Sequence, residues 1–160
     1  MKVFKFGGAS VKDAAGIINL GKIVSGVKDK LVIVVSAFGK TTNALEQVLE
    51  LWIAGDKSYK HHLNNIYNYH LSVAEELFPR DNPAKDKLDI SFSQLKEFLK
   101  SPAKPDYDFE YDQVVSYGEI WSTIIVEAYL ESKGLLTRWI DIRDYLITDD
   151  RYRDADILWN

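Results

Sequence analysis

Apolar positions recur at helical spacing in some stretches of this chain and run unbroken in others, and the two patterns predict different elements. The first third divides into two βα units. Val3 to Phe6 makes a short strand, and residues 11 to 26 place Val11, Ala14, Ala15, Ile18 and Val24 at helical spacing, with Lys22 as the exception. Leu31-Val32-Ile33-Val34-Val35 is a continuous, mostly β-branched run, the pattern of a strand buried on both faces of a parallel sheet. A loop from Ser36 to Thr42 follows, then a helix with Leu45, Val48, Leu49 and Trp52 along one stripe. Two capping pairs are predicted: Ser10 with Asp13, spaced as a capping box, and Asn43 with Glu46.

From Asp56 to Lys100 the pattern is helical, charged and rich in histidine, tyrosine and lysine. Leu63, Ile66, Tyr67, His70, Leu71, Ala74 and Leu77 repeat at three and four; Pro79 and Pro83 break this helix, and Leu88 to Leu99 resumes a shorter one. Ser101 to Asp108, with two prolines, predicts a surface loop. Residues from about 56 to 110 thus form a helical excursion from the sheet, expected to stand apart from any chemistry. A helix is predicted from Tyr111 or Asp112 to Ser132, apolar around most of its circumference and therefore buried, with Gly134 as its stop. Leu135 to Ile142 is a strand candidate, and Ile147 to Asn160 is polar apart from Ile157, Leu158 and Trp159.

Composition narrows the class. A chain of 160 residues, 46% apolar with four tryptophans, is long and apolar enough for one domain with a real core, which argues against disorder. The 20 basic and 24 acidic residues give a net charge of −4 with no dense basic stretch, which argues against nucleic acid as a partner. No segment approaches the roughly eighteen consecutive apolar residues that cross a membrane, and the amino terminus lacks a signal-peptide core. Cysteine is absent, so disulfides and thiolate metal sites are excluded, and a cytoplasmic location is the expectation.

Three places could carry chemistry. Lys5-Phe6-Gly7-Gly8-Ala9-Ser10 joins a strand to a helical pattern. Glycines let the backbone approach a ligand, a helix N-terminus adds partial positive charge, and Lys5 adds a full one, a combination suited to polyphosphate. It is not a P-loop, because no Gly-Lys-Ser/Thr closes it, and capping alone would explain Ser10. The second loop, Ser36-Ala37-Phe38-Gly39-Lys40-Thr41-Thr42-Asn43, also leaves the end of a strand. If the strands are neighbours, both loops face one crevice, where open α/β sheets bind ligands; otherwise this loop is a solvated connector. Third, Glu119 lies within the most apolar helix, flanked by Gly118, Ser116, Ser122 and Thr123. A carboxylate there either receives an ammonium group in the recess left by small residues or pairs with a lysine of the chain. His61 and His62 are adjacent and cannot share a helix face, and His70 suits a hydrogen-bonded core position. No metal site is expected from them, nor from Asp149, Asp150, Asp154 and Asp156, which suit a solvated segment.

Taken together, three ordered segments resemble the aspartokinases of the amino-acid kinase family: Lys5 to Val11, Val34 to Ala37 with Thr42-Asn43, and Ser116 to Glu119 with Ser122-Thr123. Trp139 to Arg143 also resembles the family, and the likeness covers essentially the whole chain. The resemblance implies a three-layer α/β sandwich with a mostly parallel central sheet, incomplete because the chain stops early. It implies transfer of the ATP γ-phosphoryl group to the side-chain carboxylate of L-aspartate, with Mg2+ held by a part outside residues 1–160. Lys5 is implied to stabilise charge on the transferring group, and Gly7, Gly8 and Ser10 to line the phosphate site. Ser36 is implied to contact ligand near the reacting centre. Thr42 and Glu119 are implied to hold aspartate, Glu119 through its ammonium group. The acceptor, with a reference pKa of about 3.9, is already ionised at neutral pH, so positioning and charge neutralisation are needed and a general base is not.

Ala9 stands where the family usually has threonine, and the nucleotide-binding half and regulatory domains are absent. The chain is thus expected to be the amino-terminal, amino-acid-binding part of a kinase domain, inactive alone, whose complete form is a homo-oligomer. The aspartokinase half of a fusion with homoserine dehydrogenase, a kinase for glutamate or a nucleotide, and a non-catalytic amino-acid-binding domain are the alternatives. Glu119 favours an amino-acid substrate among them.

Overall fold

In the structure, a computed structural model describing residues 1–159, the first third forms β1 (Lys2–Phe6), α1 (Ala14–Ser25), β2 (Leu31–Val35) and α2 (Thr41–Ile53). Asn160, the last residue of the predicted polar tail, lies outside the described residues. The two strands pair in parallel, with Lys2 opposite Leu31 and Phe6 opposite Val35. A β-strand sends successive side chains to opposite faces. Phe6, Leu31, Ile33 and Val35 accordingly join the helical core, whereas Val3, Val32 and Val34 stand 62%, 44% and 47% exposed. The predicted burial of β2 on both faces is therefore corrected to one. A continuous apolar run encodes two covered faces, but the described residues place helices against only one.

Neither predicted capping pair forms. Gly8–Ser10 makes a single 3-10 turn, and α1 begins later, with the Asp13 carboxylate accepting from the Gly16 N–H at 2.8 Å. Asp13 is itself the cap, because Ser10 is already committed to the preceding turn. Helix α2 begins ahead of Asn43, and the Thr41 hydroxyl donates to the Phe38 carbonyl at 2.7 Å.

The helical excursion consists of α3 (Tyr59–Leu77) and α4 (Lys85–Phe98), separated where Pro79 and Pro83 predict a break. The helix predicted from Tyr111 to Ser132 is two: α5 (Tyr107–Val115), capped by Asp106, and α6 (Tyr117–Ser132). Helix α5 packs on α2 while α6 packs against α1, α3 and α4. One straight helix could not follow both directions. As predicted, α6 is buried along its middle, with Trp121 1% exposed and its indole N–H donating to the Ser91 hydroxyl at 3.0 Å. Gly134, at φ +78°, stops it. The Leu135 N–H then returns to the Leu130 carbonyl at 3.1 Å.

Leu135 to Ile142 is not a strand, since no described strand offers it a ladder. It runs across α6, where the Trp139 indole donates to the Thr123 hydroxyl at 2.9 Å and Arg143 sits 5.9 Å from the Tyr117 ring centroid. In the tail, Arg151 bridges Asp149 and Asp156, so the predicted solvated cluster is partly organised by its own arginine.

Candidate functional site

Both glycine-containing loops leave the carboxyl ends of paired parallel strands, and backbone hydrogen bonds hold them together. The Ser36 N–H donates to the Phe6 carbonyl at 3.0 Å, and the Gly39 N–H donates to the Gly8 carbonyl at 3.1 Å. Gly8 permits this approach: a Cβ there would stand 2.5 Å from the Ala37 carbonyl oxygen. Gly39, at φ +53°, occupies the left-handed region that favours glycine. The two strands are neighbours, as the reading of a shared crevice requires, and their loops meet.

Lys5 lies on β1 opposite Val34, on the open face of the sheet, and its Nζ folds back to within 3.6 Å of where a Gly7 Cβ would be. The ammonium is thus at the mouth of the first loop, beside the glycine backbone. Ser10 is exposed, with its N–H donating to the Gly7 carbonyl at 2.8 Å. Ser36 is half-buried at the end of β2, and Thr42 is half-buried in the first turn of α2. Thr41, its neighbour, is buried with its hydroxyl engaged by Phe38.

Glu119 joins the same corner from a distant part of the sequence. Its Oε1 accepts from the Ala37 N–H at 3.3 Å. This contact requires α6 to lie almost on the second loop, and Gly118 makes that possible: a Cβ there would be 2.9 Å from the Ala37 Cβ. The expectation of a buried carboxylate needs correction, because Glu119 is exposed. It sits in the first turn of α6, at the rim of the helical layer, where the helix dipole favours negative charge. No lysine pairs with it among the described residues. One oxygen is anchored by backbone and the group is open to solvent, so it is available to a cationic ligand.

The structure thus brings Gly7, Gly8, Ser36 and Glu119 to one edge, with Lys5 at its mouth. Lys5 supplies an ammonium beside the glycine backbone, and Glu119 supplies a carboxylate beside Ala37. Such an arrangement suits a ligand carrying an anionic group and an amine. Among the described residues no group of three or more His, Cys, Asp or Glu side chains could hold a metal ion. A magnesium ion arriving with a nucleotide would need ligands from elsewhere.

Two side chains outside the predicted set adjoin these loops. Tyr69 of α3 donates its hydroxyl to the Lys12 carbonyl, and burial raises its pKa. His70 stacks on Phe38 of the second loop, with ring centroids 5.4 Å apart and planes 9° from parallel. Burial lowers the His70 pKa to about 4, so the ring is neutral at pH 7. The core position foreseen for His70 is correct, but its contact with the loop had no signal in the spacing.

A parallel α/β unit whose glycine-containing loops meet at the strand ends defines a class of proteins, and the sequence places the chain within it. The model of the amino acid kinase family matches residues 1–158, and the chain belongs to that family. Its relatives are aspartokinases. Lysine-sensitive aspartokinase 3 of Escherichia coli (strain K12) is 27% identical over 155 residues, covering 96% of this chain and 34% of that protein. Aspartokinase 3, chloroplastic, of Arabidopsis thaliana is 33% identical over 169 aligned positions, covering 98% and 28%. The chloroplastic bifunctional aspartokinase/homoserine dehydrogenase 1 of Zea mays is 27% identical, covering 92% of this chain and 16% of that protein. The crystal structure of E. coli aspartokinase III with aspartate and ADP superposes at a TM-score of 0.85 and 25% identity, over 98% of this chain and 34% of that one. The chain therefore spans between 16% and 34% of the length of these relatives. The helix-rich fold with a small parallel sheet is that of an incomplete amino-acid-kinase α/β unit.

Proposed function

We propose that this chain is the amino-acid-binding part of an aspartokinase. The complete protein would transfer the γ-phosphoryl group of ATP to the side-chain carboxylate of L-aspartate, giving 4-phospho-L-aspartate. The observation that carries the proposal is the meeting of the two strand-end loops through Gly39 and Gly8, with Lys5 at their mouth and Glu119 fixed to Ala37 beside them. Lys5 and the Gly7-Gly8 backbone offset negative charge on the phosphoryl group. Glu119 receives the substrate ammonium, Thr42 contacts the substrate, and Ser36 lies between the two ends of the ligand. Ser10 flanks the phosphate side. Mg2+ and the remaining nucleotide contacts come from chain outside residues 1–160, consistent with the partial coverage of the relatives.

In this proposal the protein serves the aspartate-derived pathway to lysine, threonine and methionine, in the cytoplasm, as a homo-oligomer. Both free-standing and dehydrogenase-fused aspartokinases occur among the relatives, and the corner serves either. No described helix is long and apolar enough to cross a membrane.

Titration calorimetry with L-aspartate, with and without ATP, tests the proposal. Aspartate should bind the chain and lose most of its affinity in Glu119→Gln, while ATP should bind weakly. In the complete protein, Lys5→Ala should lower turnover about a hundredfold or more, equivalent to about 3 kcal/mol of transition-state stabilisation. Near-normal turnover in Lys5→Ala would remove that residue from the chemistry. Aspartate binding that ignores Glu119→Gln would make the carboxylate structural.

A further inference from the structure

We propose that α3, expected to stand apart from chemistry, braces the crevice, and that Tyr69 and His70 are positioning residues that fix the two loops against each other. The inference rests on taking those loops as the ligand site. Successive helical residues point about 100° apart, so an adjacent pair can touch two different structures. Tyr69 reaches the exit of the first loop, donating to the carbonyl of Lys12 just before the Asp13 cap. The same hydroxyl lies 3.3 Å from where a Gly39 Cβ would be. One side chain therefore bonds to the exit of the first loop and stands beside the second.

His70 acts on the second loop through Phe38. The Phe38 side chain is fully buried, with the imidazole stacked on it. Trp121 packs edge-on against the same imidazole, at a centroid distance of 5.4 Å and 70° between planes. The Phe38 carbonyl accepts from both the N–H and the hydroxyl of Thr41, at 2.9 and 2.7 Å. The next residue, Gly39, supplies the N–H that ties the second loop to Gly8. The setting of the Phe38 ring thus governs where the Gly39 N–H points.

A histidine is an expensive choice for a packing role here. Its Nδ1 meets the Ile66 carbonyl at 2.8 Å and so carries the proton, which leaves Nε2 buried without a partner. An unsatisfied buried polar atom costs about 1–3 kcal/mol, which leucine or phenylalanine would avoid. What histidine adds is a flat ring whose tilt is locked by that hydrogen bond, nearly parallel to Phe38. A phenylalanine has no such lock, and aromatic hydrocarbon pairs often settle edge to face or offset.

Amide hydrogen exchange in the ligand-free chain, followed by NMR, tests this. Gly39 reports the tie between the loops, and Ile125 in α6 reports the core. Tyr69→Phe removes only a hydroxyl and should speed exchange at Gly39 about tenfold, the scale of one lost hydrogen bond, with Ile125 unchanged. His70→Phe keeps the core filled but loses the lock, and should also speed Gly39 selectively. Gly39 exchange equal to the parent in both variants, or rising only in step with Ile125, would overturn the proposal. A selective rise in one variant alone removes the other residue from the brace. Because no ligand is present, failure of the aspartate titration leaves this result standing on its own.

Discussion

Where the strands end, the chain is held backbone to backbone, whereas between α3, α4 and α6 it is held by large side chains. At the first place Gly8 and Gly118 allow approaches that a single methyl group would crowd, and Gly39 adopts a left-handed φ. At the second, the rings of His70 and Phe92 both pack against Trp121. The two regions meet at Phe38, which belongs to a site loop by sequence and to the helical core by burial. If the strand-end loops hold the ligand as proposed, stability and ligand geometry are drawn from different residues. Substitutions should be able to separate the two properties.

Four outcomes sharpen that contrast, beginning with the largest. Trp121→Ala removes the largest fully buried side chain and strands the Ser91 hydroxyl, and should lower stability by about 4 kcal/mol in urea unfolding. Retention of near-parent stability would show that the helical layer is not the source of cohesion. Acid should act next, through His70. Its folded pKa of about 4 lies below the ordinary 6.5, so the unfolded chain takes up a proton first as pH falls. The stabilisation is complete above pH 6.5 and is lost progressively down to pH 4, amounting to about 3 kcal/mol. Unfolding midpoints at pH 7, 5.5 and 4, compared between the parent and His70→Phe, isolate this contribution. The parent should fall more steeply.

Gly8→Ala should cost about 2 kcal/mol, because the new Cβ would meet backbone at Ala37, which cannot move aside as a flexible side chain can. Its effect on aspartate binding should exceed its effect on stability, since the collision lies in the crevice itself. Glu119→Gln should change stability least, within about 0.5 kcal/mol, because the side chain is exposed and keeps an oxygen for the Ala37 N–H. Aspartate affinity should fall sharply in the same variant. A variant equally damaged in stability and binding at Gly8 or Glu119 would erase the division between the regions.

Much of the site was legible because its chemistry is local. Lys5, Gly7 and Gly8 lie within four consecutive residues, and the strand–turn–helix pattern around them announces a corner. The second loop and Glu119 were legible as candidates and through their resemblance to a family. Their meeting, by contrast, depends on contacts 82 residues apart, such as Glu119 to Ala37. Nothing in the spacing within α6 says that its first turn stands at the rim, which is why Glu119 was taken as buried. The capping pairs failed for a related reason: Ser10 and Asn43 have suitable neighbours, but the helices start at Ala14 and Thr41. Which polar residue caps a helix is decided by where the preceding loop delivers the chain.

By itself the sequence determined the two strands and the long helices α1 to α4, the parallel pairing implied by β1, α1 and β2, and the polar and glycine content of both loops. Periodicity and backbone chemistry act over a few residues, so they can be read there. Only the tertiary structure decided that, among the described residues, one sheet face stays uncovered, that Leu135 to Ile142 lies across α6, and that Tyr69 and His70 reach Lys12 and Phe38. Those outcomes depend on which surfaces are available to pack, and contacts between remote segments leave no period in the chain.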